Sequence, residues 1–263
     1  MEIAGSKVLL TGATGGLGQA IARALSAKGA ELVLTGRRVD VLEPLASELS
    51  ARTMAVDLSD AAEIERLLAE AGEVDILVAN AALPASGMLD SFDVGQIERA
   101  LDVNLRAPIV MTHALAPRMV ARGRGHLLFM SSLSGKAATA GSSLYNATKF
   151  GLRGFAMAMR AELHDSGVGV SAVFPGFIRD AGMFAEAQVK LPRGVGTRTP
   201  EDVAKATVSA IERNRGEVDV APMSLRLGSA LSGLAPEMAA TMTRKSGSDR
   251  IAHQLADSQR GKR

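Results

Sequence analysis

Lys7-Val8-Leu9-Leu10-Thr11-Gly12-Ala13-Thr14-Gly15-Gly16-Leu17-Gly18 decides the fold. An apolar run of strand length passes directly into a glycine cluster, and Leu17–Lys28 then carries apolar residues at helical spacing. Glycines between a strand and a helix let the backbone turn tightly and approach a phosphate group, whose charge suits the helix N-terminus. The spacing here is G-x-x-x-G-x-G, not the G-x-G-x-x-G of the commonest dinucleotide loop.

Working outward, the same strand–helix alternation recurs along the chain. Glu31–Thr35, Thr53–Val56, Asp75–Ala79, His126–Met130 and Val168–Phe174 are short apolar runs of the kind buried in parallel sheets. Val218–Val220 is a weaker seventh. Between them the spacing predicts helices over Leu17–Lys28, Val39–Leu49, Ala61–Ala71, Phe92–Ala121, Ser143–Ser166 and Pro200–Asn214. Asp60 with Glu63 fits a capping box, and Thr199-Pro200-Glu201 fits an N-cap followed by a first-turn proline and an acid. Alternation on this scale predicts an α/β fold: a single Rossmann-type, doubly wound parallel sheet of about seven strands with helices on both faces. Ligands of such sheets lie at the carboxyl ends of the strands, so the loops after each strand are where chemistry is expected. The expected organisation is a nucleotide-binding and catalytic domain over residues 1–222 and a C-terminal extension over 223–263.

Composition narrows the class. The 263 residues contain no cysteine, which excludes disulfide scaffolds, thiolate metal sites and cysteine nucleophiles. His113, His126, His164 and His253 show no metal-ligand spacing, and no metal is expected. The longest stretch without a charge, Val8 to Ala22, is too short to span a bilayer and holds four glycines. A first strand beginning near Lys7 leaves no room for a cleavable signal, so the cytoplasm is the expected compartment. The formal net charge is +2, but residues 223–263 carry seven Lys/Arg against three acids, leaving −2 for the rest. With seven Phe, one Tyr and no Trp, the chain lacks the basic, aromatic face of a nucleic-acid binder.

Beyond the glycine loop, the second strand ends at Thr35-Gly36-Arg37-Arg38, with no acid before Asp40. An acid at this position holds a ribose 2′-hydroxyl, whereas an arginine accommodates a 2′-phosphate, which favours NADP(H) over NAD. The only tyrosine, Tyr145, is followed at i+4 by Lys149, one helical face apart by a turn. A phenol with a pKa near 10 is a poor base at neutral pH, and an adjacent ammonium favours its ionised form. Ser131-Ser132 follows the fifth strand, thirteen residues before Tyr145.

In one order, T-G-x-x-x-G-x-G, Asn80-Ala81, Asn104, Ser132, Y-x-x-x-K and Pro175-Gly176 resemble the short-chain dehydrogenase/reductase family over residues 5 to about 220. The resemblance implies that Tyr145 is the general acid/base and that Ser132 hydrogen-bonds the substrate oxygen. It implies that Lys149 holds the nicotinamide ribose and lowers the Tyr145 pKa, and that Asn104 positions a water linking Lys149 to solvent. It implies cofactor contacts at Gly12, Thr14, Gly15, Gly16, Leu17 and Gly18, at Arg37 and Arg38, at Asp57 and Leu58 beside the adenine, and at Asn80, Ala81 and Ala82. Ala82 stands where the family has glycine. Pro175, Gly176 and Ile178 would lie against the nicotinamide carboxamide, while Asp180 replaces a threonine frequent in the family. The implied activity is hydride transfer between NADP (NADPH), with NAD as alternative, and a carbonyl or alcohol carbon of a small lipophilic substrate, by a homodimer or homotetramer. The alternatives are an NAD-dependent alcohol dehydrogenase of the same family and a non-catalytic dinucleotide-binding regulator.

The substrate loop is expected from Ile178 to about Thr199, with Met183, Phe184, Ala185, Ala187, Val189 and Leu191 either lining the pocket or packing a short helix. Further on, Leu227, Leu231, Leu234, Met238 and Met242 recur every three or four residues. They have four open readings: core packing, a cover for the substrate cleft, a face for a partner subunit, or contact with a membrane surface. Residues 244–263 are polar and basic, and are expected to be mobile.

Overall fold

The computed structural model describes residues 1–187, 196–235, 237–238 and 241. Its strands are β1 (Lys7–Leu10), β2 (Glu31–Gly36), β3 (Arg52–Ala55), β4 (Ile76–Ala79), β5 (Gly125–Met130), β6 (Val168–Pro175) and β7 (Glu217–Val220). The helices are α1 (Gly16–Ser26), α2 (Val39–Leu49), α3 (Ala61–Ala71), α4 (Val94–Leu101), α5 (Ala107–Ala121), α6 (Ser143–Glu162), α7 (Gly182–Ala187), α8 (Pro200–Glu212) and α9 (Met223–Leu234). All seven strands are parallel, in the order β3-β2-β1-β4-β5-β6-β7. The winding reverses between β1 and β4, and the carboxyl ends of these two strands open the crevice in which ligands of doubly wound sheets bind.

Successive strand residues point to opposite faces, and both faces are apolar. Leu9, Val33, Leu77, Leu127 and Phe129 join the core under α3, α5 and α6. Their neighbours Val8, Leu10, Leu32, Leu34, Ile76, Val78, Leu128 and Met130 join the core under α1, α2 and α8. Every residue of β4, β5 and β6 is buried, which explains why these strands show no polar alternation.

Two local expectations are corrected and one open reading is closed. Helix Phe92–Ala121 is interrupted: α4 and α5 are joined by a π turn over Asp102–Arg106. Asp60 does cap α3 by accepting from the Ala62 amide, but Glu63 accepts from the Asp57 amide instead of closing a box. The described residues of the C-terminal stripe do not pack into the core: Leu227, Leu231, Leu234 and Met238 are exposed. Met242 and residues 244–263 lie outside the described residues. At Thr199 the cap is a full box, closed by Asp202.

Candidate active site

The glycine loop is built against the end of β4. Thr11 Oγ1 accepts from the Asn80 and Ala81 amides, both at 3.1 Å. Asn80 Nδ2 donates to the Thr11 and Gly12 carbonyls at 3.0 and 3.2 Å. Gly12 has φ +67°, and a Cβ there would stand 2.7 Å from Ala81 Cα, so only glycine fits. Gly15, the N-cap of α1, is different. Its nearest neighbour to an added Cβ is 3.5 Å away, an ordinary contact, so packing within the chain does not require glycine there. The bare backbone at this helix N-terminus is free for a ligand to approach.

A cleft of about 490 Å³ opens at this point. Gly12, Thr14, Gly15, Gly16, Leu17, Gly18, Arg37, Arg38, Asp57, Leu58, Asn80, Ala81 and Ala82 all line it. The two arginines differ. Arg38 donates to the Thr14 carbonyl at 2.6 Å and so braces the loop. Arg37 is exposed and has no hydrogen bond or ion pair among the described residues. Burial pushes the Asp57 carboxyl up, but hydrogen bonds from Ser59 and the charges of Arg37 and Arg99 outweigh it and hold Asp57 below its ordinary range.

Beyond the cleft, three side chains converge at the end of β5. Ser132 caps a short 3-10 turn, Leu133–Gly135, by accepting from the Ser134 amide at 3.1 Å, and its hydroxyl lies 3.4 Å from the Pro175 carbonyl. Tyr145 and Lys149 come from one face of α6. Lys149 is buried and donates to the Met130 carbonyl at 2.9 Å, with Nζ 5.7 Å from the centre of the Tyr145 ring. Burial pushes Tyr145 up to about 12, against a smaller downward pull from its hydrogen-bonding contact with Ser132. Burial pushes Lys149 down to about 8. Desolvation of the phenol dominates in the chain by itself, and the Lys149 ammonium is directed at the Met130 carbonyl.

Asn104 sits within the π turn and is buried, but its side chain is occupied. Oδ1 accepts from the Leu83 amide at 2.6 Å and Nδ2 donates to the Leu83 carbonyl at 3.0 Å. The Asn104 side chain is thus a clamp on the segment after β4, and Leu83 in turn lines the cleft. Pro108 has no N–H, so a carbonyl of the π turn lacks its helical donor.

The residues expected against the carboxamide divide. Gly176 lies at the end of β6, where its amide donates to Val220. Ile178 is buried in the core, because a short bridge to Arg198 turns it inward. Neither these nor Pro175 lines the cleft. Asp180 has φ +70°, pairs with Arg179 at 3.4 Å and lies in an adjoining groove. Of the substrate loop, Phe184 stacks obliquely on Phe177 at 5.0 Å, while Val189 and Leu191 fall outside the described residues.

Two supports escaped the sequence reading. Buried Asn146 donates to the Ser134 and Ala137 carbonyls at 2.7 and 3.2 Å, fixing the loop between Ser132 and Tyr145. Lys136 pairs with Asp219 at 2.6 Å and Glu217 at 2.9 Å and lies 4.1 Å from the Phe174 ring centre. A polar residue beside Tyr145 and a lone Lys in a loop carry no period, and the partners named here are nine or more residues away.

Fold and site together define a Rossmann-type oxidoreductase. Residues 6–191 match the family model of the short chain dehydrogenases, and the chain belongs to that family, whose members act on alcohol and ketone groups. It is 35% identical over 227 residues to the ketoacyl reductase HetN of Nostoc sp., covering 83% of this chain and 79% of that one. A short-chain dehydrogenase from Sphingobium yanoikuyae, solved in complex with NADPH, superposes with a TM-score of 0.76 at 28% identity, covering 89% of this chain and 94% of its own. A bulky-bulky ketone specific alcohol dehydrogenase from Comamonas testosteroni gives 0.74 at 25% identity, covering 88% and 94%. Among the described residues no helix is long and apolar enough to cross a membrane, and no three potential ligands are grouped to hold a metal.

Proposed function

We propose that the chain is an NADP(H)-dependent oxidoreductase that interconverts a ketone or aldehyde and its alcohol on a lipophilic substrate, with Tyr145 as the general acid/base. The observation that carries this reading is the convergence of Ser132, Tyr145 and Lys149 at the end of β5, beside a nucleotide-sized cleft edged by an unpaired Arg37. The cleft suits a dinucleotide: the open backbone at Gly15 would take the pyrophosphate, Asp57 and Leu58 would flank the adenine, and Arg37 would hold the 2′-phosphate. When bound, the cofactor supplies or accepts the hydride. Tyr145, held at about 12, is fully protonated at neutral pH and hands its proton to the substrate oxygen as negative charge develops there. Ser132 holds that oxygen in place. Lys149 remains an ammonium at pH 7 and steadies the ionised phenol after transfer. Asn104 keeps the segment after β4 in position, and the carbonyl left free by Pro108 is the group available to a relay water. The Phe177–Phe184 pair supports a lipophilic pocket.

We also infer a homodimer or homotetramer, because Phe150 and Met157 leave an apolar patch exposed on the outer face of α6. Light scattering in solution checks it, and a monomer would end that inference.

Cofactor titration tests the main reading. Hydrogen bonds to a charged group contribute about 1.5–3 kcal/mol, or about ten- to a hundredfold in affinity. NADPH is expected to bind tighter than NADH by that factor, and Arg37→Ala to remove the difference while leaving NADH unchanged. Equal affinities in the wild type would instead favour the NAD-dependent reading. In a screen of lipophilic ketones and aldehydes, Tyr145→Phe is expected to lose at least about a hundredfold in kcat with cofactor binding retained. Retention of turnover by that variant excludes Tyr145 as the acid.

A further inference from the structure

Helix α9 turns its large apolar residues to solvent. Met223, Leu227, Leu231 and Leu234 are between 36% and 85% exposed. At 3.6 residues per turn they lie within an arc of about 80° on one side of the helix. The other side attaches the helix to the body. Ser229 is buried there, and Leu225 Cδ1 comes within 3.7 Å of the point that a Cβ on Gly176 would occupy. Leu133 Cδ1 lies 3.2 Å from the same point. Since Leu133 adjoins Ser132, α9 stands at the substrate end of the sheet. A row of large apolar side chains left uncovered on a soluble surface is a docking face.

We propose that this face docks the protein on an anionic lipid bilayer, and that the carbonyl substrate enters from that bilayer. The second part rests on the function proposed above. The occupant follows from charge. Residues 242–263 carry Arg244, Lys245, Arg250, Arg260, Lys262 and Arg263 against Asp249 and Asp257, a net of +4, whereas residues 1–222 carry −2. The positive charge is thus concentrated in the sequence that follows the apolar arc. An apolar arc followed in the sequence by a cationic segment matches the two attractions of a bilayer interface, acyl burial and anionic headgroups. A second copy of this chain offers the +4 segment no net opposite charge of its own over residues 223–263, whereas anionic headgroups do. Twelve residues of α9, including two glycines and three serines, are too short and too polar to cross the bilayer, so the helix lies on it. The self-association surface inferred on α6 is separate from this face.

Sedimentation of the full NADPH-loaded chain with vesicles tests the proposal. Binding is expected to vesicles of phosphatidylcholine with phosphatidylglycerol, about tenfold weaker to phosphatidylcholine alone, and weaker as salt rises. Leu227→Ser combined with Leu234→Ser is expected to weaken binding at least about tenfold, since each leucine loses its burial in the acyl region. Both sites are exposed, so the circular dichroism and the turnover of a water-soluble ketone are expected to stay at wild-type values. No sedimentation with anionic vesicles, or equal binding by the double variant, overturns the docking. If the variant instead breaks a dimer and neither protein binds vesicles, the face belongs to a second copy. A wild type that sediments but turns over no ketone keeps the docking and overturns only the substrate half.

Discussion

The buried ammonium of Lys149 shows how one residue links chemistry to stability. Its pKa falls from 10.5 to about 8, a difference worth about 3 kcal/mol. The sign follows from proton counting. Below pH 8 both folded and unfolded states hold the proton, and the folded state bears the full desolvation cost. Between 8 and 10.5 the folded state releases its proton first, so stability rises with pH across that window. Tyr145 acts oppositely: its folded pKa of about 12 exceeds the ordinary 10, so it lowers stability from pH 10 upward. Lys149→Met is therefore expected to abolish turnover while gaining about 1–3 kcal/mol against urea at pH 7, the lower end allowing for the lost bond to Met130. The gain is expected to shrink by pH 9.5. A variant less stable than wild type at pH 7 contradicts this account. The i+4 spacing of Tyr145 and Lys149 was legible because helical period places both on one face. The burial that sets their pKa values was not, since it depends on β5 and on the loop fixed by Asn146.

Elements were legible where a period repeats and illegible where it breaks. The Val39–Leu49 and Ala61–Ala71 helices end where the pattern of apolar residues places them. The long helix read over Phe92–Ala121 hid the π turn, because a widened turn barely alters apolar spacing. Pro108 was the available sign: its missing N–H breaks the ladder next to Asn104. Asn104→Ala removes two buried hydrogen bonds and leaves the Leu83 amide and carbonyl unpaired. A loss of about 2–4 kcal/mol in unfolding free energy is expected, with reduced turnover; a change below about 0.5 kcal/mol would show the clamp to be dispensable. The turn carrying Ser132 has its own anchor in Lys136, which reaches two carboxylates on β7. Arg153 reinforces it by pairing with Glu217 at 2.6 Å. Lys136→Met is expected to lower kcat more than it raises KM, with NADPH affinity unchanged, because it frees the turn without touching the cleft. Lys136→Arg is expected to restore part of the rate. Equal losses in both variants, accompanied by weaker NADPH binding, would point to general loosening of the fold.

On the scale of the whole molecule, strand number and parallel direction could be read from the alternation, but strand order could not. Which runs lie beside β1 is set by packing across helices, and the reversal between β1 and β4 appears only once the sheet is assembled. The same holds for the division between the two ends of the sheet. The carboxyl ends carry the costly groups of the site. At the amino-terminal end of β5, His126 is buried between strands, with Nε2 2.9 Å from Ser171 Oγ and Gly169 opposite, where any Cβ would meet the imidazole at 2.3 Å. Burial pushes His126 down to about 3, and the positive amino terminus and Arg160 add to the shift. Above pH 6.5 both folded and unfolded states are neutral at this residue. Below it the unfolded chain takes up a proton that the folded chain refuses, so stability falls with pH until about 3, by on the order of 4–5 kcal/mol in total. Glu48, Asp57 and Glu217, whose pKa values are lowered, also lose stability in acid, and they do so equally in wild type and variant. His126→Gln removes only the histidine contribution. Unfolding free energies measured from pH 6.5 to 4.5 are therefore expected to fall more steeply in the wild type, by about 1.4 kcal/mol per pH unit. The slope is the decisive quantity, because glutamine also changes the packing and so shifts the whole curve. Parallel curves would mean that the folded protein accepts a proton at this position, and that the sheet's amino-terminal end is more open to water than its packing indicates.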